Sequence, residues 1–134
     1  MSDTERLKYL SYALRAVALI FVLGVYPLTV VWPAGWAWHF SGQSEYLQMI
    51  IAIYFTLGVF VWLAARDPER HLSLISFVIW SSVVHGGVMA VQSLVHSQHF
   101  GHLYGDVPAL LIVAAVLGWL CPRALKFQFG GKAA

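Results

Sequence analysis

The chain has 134 residues, 60% of them hydrophobic and only 10% charged, with a mean hydropathy of +0.72. Eight bases and six acids are too few to coat a soluble globule, where about 25% of residues are charged. Such apolar content also excludes a disordered chain. The net charge of +2 comes with no basic patch interleaved with aromatics, so the expected partner is the lipid bilayer and not nucleic acid. A helix needs roughly 20 apolar residues to cross a bilayer. The length therefore holds four spans, and residues 1–134 are expected to form a single membrane domain.

The first span is expected over residues 5–31. Ser2-Asp3-Thr4-Glu5 fits the Ser-x-x-Glu capping box, and Pro27 should kink or end the helix. Trp32-Pro33-Ala34-Gly35-Trp36-Ala37-Trp38-His39-Phe40 then reads as an interfacial loop with its indoles at head-group level. The second span is expected over 45–65 with Ser44 as N-cap. In the connector Arg66-Asp67-Pro68-Glu69-Arg70-His71, Asp67 as N-cap before Pro68 marks the third helix start. That span is expected over 70–95. The segment His96–Gly105, with Gly101 and Gly105, reads as a loop, and the fourth span over 105–121 opens with Asp106 as N-cap. Beyond it, Leu125, Phe127 and Phe129 alternate with Lys126 and Gln128, as a segment lying along the inner interface would.

Every Lys and Arg falls in the N-terminal segment (Arg6, Lys8, Arg15), the middle connector (Arg66, Arg70) or the tail (Arg123, Lys126, Lys132). The other two loops hold none. The fold class expected is all-α, an antiparallel four-helix transmembrane bundle with both termini cytoplasmic. Cys121 is the only cysteine, so no disulfide can form within the chain.

Asp3, Glu5, Asp67, Glu69 and His71 lie among the bases, and the other ionisable groups outside the spans collect at the base-free end. Glu45, Asp106, His39, His96, His99 and His102 lie there, with Gln48 and Gln92. On the third span Ser81, His85, Met89 and Gln92 share a stripe, beside a second stripe of Ser82, Gly86 and Ala90 with small-xxx-small spacing. An ionisable group inside a membrane raises a functional hypothesis, with His85 hydrogen-bonded across helices, to Gln48 or Ser81, as its bland counterpart. The candidate binding residues are Glu45, Gln48, His85, Gln92, His102 and Asp106. A metal held by His96, His99, His102 and Asp106 uses suitable ligand types at a spacing that matches no familiar site. Two haem-ligating imidazoles on facing helices are lacking, no cofactor is predicted, and no catalytic signature stands out.

The strings Tyr26-Pro27-Leu28, Trp32-Pro33-x-Gly35-Trp36, Ser44-Glu45-Tyr46, Trp80-Ser81-Ser82-Val83-Val84-His85-Gly86-Gly87 and Gly101-His102-Leu103-x-Gly105-Asp106-Val107-Pro108 resemble an uncharacterised family of small bacterial four-span membrane proteins. The resemblance implies a bacterial inner membrane and favours Glu45, His85, His102 and Asp106 as site residues. It favours His102 over His96 and His99. The expected function is binding of a small polar ligand, or of a lipid or quinone head group, in an outer-leaflet pocket. The alternatives are a structural or assembly subunit of a membrane complex, including a homo-oligomer, and an outer-face metal-binding protein.

Overall fold

A computed structural model describes residues 2–38 and 44–125; the expectations for His39 and for the tail after Leu125 lie outside them. The described chain is all-α. Four helices are long and apolar enough to cross a membrane: Asp3–Val31, Glu45–Ala64, Pro68–Val95 and Ser97–Leu120. They are here called the first to fourth spans. The protein is a multi-pass membrane protein built as an antiparallel four-helix bundle.

The first span opens on the capping box, with Ser2 Oγ accepting from the Glu5 amide at 3.3 Å and Glu5 accepting from the Ser2 amide at 2.8 Å. Pro27 does not end it. The helix switches to π geometry over Ile20–Gly24 and continues as α-helix over Val25–Val31. Proline removes one backbone donor and crowds the preceding turn, and the wider π turn upstream of it is one way to absorb that. Asp67 stands at the N-cap position of a 3-10 turn, Pro68–His71, without capping it. Its carboxylate instead pairs with Arg70 at 3.0 Å. The predicted loop before the fourth span is a 3-10 helix over Ser97–Leu103, and the α-helix proper runs Asp106–Leu120.

The core is built where the four spans meet, with the first span at its centre. Leu10, Leu14, Val17 and Phe21 pack with Val61, Val78, Ile79 and Leu117. The small stripe serves close packing of the third span on the fourth, with Gly86 set against Leu110 and Leu111. Gly58 does the same for the second span, where a Cβ would meet Phe21 and Val22 at under 3 Å. Each span also turns apolar side chains outward, such as Leu23, Ile53, Val84 and Ile112, which are 61–65% exposed. In water this would be unstable; in a bilayer it is the lipid-facing surface.

The packing order around the bundle is second, first, fourth, third. The second and third spans are joined by the tight Arg66–His71 connector, yet of the neighbouring pairs they pack on each other least, and two grooves lie along the seam between them. At the base-bearing end, Arg123 reaches Glu69 at 3.0 Å and ties the last turn to that connector.

Candidate functional site

The site forms where the two base-free connections meet. A Cβ at Gly101 would fall on the carbonyl of Ala34, and one at Gly105 on the carbonyl of Gly35. With hydrogen in both places, the 3-10 segment Ser97–Leu103 lies directly against the single turn Pro33–Trp36. Backbone then touches backbone, a distance only glycine permits. The contact carries Trp38 over the start of the fourth span.

Trp38 is half-buried, and its indole Nε1–H donates to Asp106 Oδ2 at 3.1 Å. His102, four residues before Asp106, places Nδ1 2.9 Å from Oδ2 and 3.0 Å from Oδ1. The Trp38 ring stacks on that of His102, with centroids 4.1 Å apart and planes 24° from parallel. His102 is 1% exposed and Asp106 7%. Asp106 is therefore no N-cap: Gly105 takes that position, and the carboxylate is occupied by the two side-chain donors.

The chemistry follows from that geometry. An ionised carboxylate only accepts hydrogen bonds; opposite it, a neutral His102 carries its proton on Nδ1 and leaves Nε2 as an acceptor. The carboxylate holds the imidazole's orientation, as in carboxylate–histidine pairs generally. Charge-assisted bonds of this kind are about twice as strong as neutral ones. No Lys or Arg lies in the two connections at this end of the bundle, and the side-chain partners of Asp106 are His102 and Trp38.

Two cavities meet at the pair. One, of ≈ 750 Å³, is lined by His102 and His99 together with Gln98, Gln48, Ser44 and Thr29, among others. It lies at the base-free end. The other, of ≈ 350 Å³, is a mostly apolar chamber between all four spans, lined by Asp106, Trp36, Trp38, Phe21, Tyr54, His85 and aliphatic neighbours. His102 lines the first, Asp106 the second.

The candidate residues divide accordingly. Gln48 shares the larger cavity with His102, and His85 shares the chamber with Asp106. The His85 ring meets Tyr54 edge-on at 6.2 Å; Ser81, one partner expected for it, donates to the Val78 carbonyl instead. Gln92 lies farther out, in a groove of ≈ 620 Å³ between the second and third spans that also contains His85. Glu45 is exposed and is not among the described lining of either cavity that touches the pair. The rings of His96, His99 and His102 follow one another at 6.3 and 5.8 Å. Among the described residues no three His, Cys, Asp or Glu side chains come together as a metal-ligand set.

Sequence reasoning missed Trp38 and Trp36. The Trp32–Phe40 stretch reads as an interfacial loop with its indoles at head-group level, whereas Trp38 turns inward to Asp106, and the Trp36 indole nitrogen is buried with no partner among the described residues. The usable signal was the glycine pair flanking His102, since glycines there imply close approach of another segment. The model of a family of unknown function (DUF6632) matches residues 4–132. No curated protein and no solved structure matches the chain.

Proposed function

The chain belongs to DUF6632, whose membership prescribes no chemistry, and we propose from the geometry that it is a small membrane-embedded binding protein. It holds a small polar ligand, or the head group of a lipid or quinone, at the His102–Asp106 pair. The observation that carries this reading is the pair itself: two ionisable side chains, almost fully buried at one end of a transmembrane bundle, each lining a cavity. Burying such groups in a membrane protein is expensive, and here they are oriented toward space. Gln48 adds an amide to the larger cavity and His85 an imidazole to the chamber.

In the same reading the protein sits in a bacterial inner membrane with both termini and the Arg66–His71 connector cytoplasmic. The partition of all eight bases to those segments supports it. The site then faces the outer leaflet.

Extraction in native lipid particles, without detergent, followed by native mass spectrometry tests the binding. A discrete bound species is expected on the wild type, and its loss from His102→Gln and Asp106→Asn. Destabilised variants that keep the same bound species would instead point to a purely structural pair.

A further inference from the structure

We propose that the ligand is a membrane-dissolved molecule of the quinone–quinol class, seated ring-first in the ≈ 350 Å³ chamber behind Asp106 and reached from the lipid through the seam between the second and third spans. This deepens the binding reading above and rests on it.

Three observations on the chamber carry the assignment. Its size lies at the small end of the roughly 300–1,000 Å³ that small-molecule sites occupy. A ring with short substituents fits; a phospholipid head group with two acyl chains does not. Its walls are aromatic where they are not aliphatic, with Phe21 and Tyr54 set edge-to-face at 5.0 Å and two indoles above them, which suits a flat ring. Its polar groups are few and of opposite sense. Tyr54 brings a hydroxyl, His85 an imidazole and Asp106 carboxylate oxygens to its lining. A ligand carbonyl can accept from the Tyr54 hydroxyl. A ring hydroxyl donates to Asp106. A ring that presents a carbonyl in one state and a hydroxyl in the other meets both.

The access route follows from the packing order. The second and third spans leave their seam open, and the ≈ 620 Å³ groove within it shares Leu47, Ile50, His85 and Met89 with the chamber. Its outer rim carries Val84 and Val88, 63% and 53% exposed on the lipid-facing flank. A tail lying in that groove stays in contact with lipid while the ring occupies the chamber. The π segment Ile20–Gly24, which supplies Ile20 and Phe21 to the chamber wall, is a local widening of a kind often found at functional sites.

The test uses the full chain in phosphatidylcholine nanodiscs, titrated with decylubiquinone as mole fraction of lipid and read by quenching of tryptophan fluorescence. The wild type should quench saturably. Ala109→Phe, which fills the chamber, should raise half-saturation about tenfold, the loss expected from one excluded contact set. Tyr54→Phe keeps the ring and removes the hydroxyl donor, and should raise it several-fold. Ile50→Phe at the exposed mouth should slow the approach to saturation. Unchanged half-saturation in both Ala109→Phe and Tyr54→Phe overturns the chamber assignment; should Ala109→Phe fail to fold, Tyr54→Phe alone decides. If those two variants bind like wild type while the native bound species still depends on His102, the chamber is wrong and the binding reading stands. If no native bound species exists and decylubiquinone does not saturate, both fall.

Discussion

His102 Nδ1 lies 2.9 Å from Asp106 Oδ2, with the two side chains only 2% and 9% exposed. Four residues apart, they bridge the change from a 3-10 helix to the fourth α-helix, so one turn of chain delivers both partners. Trp38, from a segment 68 positions away in sequence, closes the constellation.

That pair is expected to dominate local stability. Removing one partner leaves the other buried and unpaired, which costs about 3–5 kcal/mol. Asp106→Ala and His102→Ala should each lower stability by that order. The double variant His102→Leu/Asp106→Leu should cost clearly less than the sum of the two. Denaturation of the four proteins in one detergent checks this; additive losses would mean the groups do not act as a pair.

The glycine contacts make a second, contrasting prediction. Gly105→Ala places a Cβ on the Gly35 carbonyl and Gly101→Ala one on that of Ala34, so each should destabilise by about 1–3 kcal/mol and shift Trp38 off His102. Gly87 has open space where its Cβ would be. In a helix interior Gly87→Ala should be neutral or stabilising by up to about 1 kcal/mol. Thermal unfolding, with Trp emission as the local readout, separates the two classes.

Cys121 is buried, and burial pushes its thiol above the usual range. The thiolate is the reactive form, so a higher pKa means less thiolate at neutral pH and slower alkylation. Cys121 should stay unmodified by a maleimide in the folded protein at pH 7, and react once denatured. Fast labelling of the native protein would contradict its burial.

That inertness allows the proposed topology to be read in the otherwise native chain. Gln98→Cys and His71→Cys both place a thiol at exposed positions, at opposite ends of the bundle. A membrane-impermeant maleimide should label the first in intact spheroplasts and the second only after permeabilisation. The reverse pattern would invert the orientation.

How far the sequence reached differs from feature to feature. The four spans were legible because a bilayer demands long apolar helices whatever their neighbours are. The capping box was legible because its partners lie three residues apart. Asp106 and His102 stood out as ionisable residues beside an apolar span, but their pairing did not, since the intervening stretch read as a loop and Asp106 as a cap. Glu45 looked equivalent to Asp106 by type and position. Only packing separates them: one faces out, the other faces Trp38.

Composition and charge placement by themselves determined that this chain is a four-span membrane bundle, because the cost of burying polar backbone in lipid leaves so few alternatives. Tertiary structure alone decided which polar residues meet. That outcome depends on two glycines admitting a distant turn to within backbone contact, and on the second and third spans leaving their shared seam open. Neither is a property of local sequence; both arise from how the surfaces of separate helices fit.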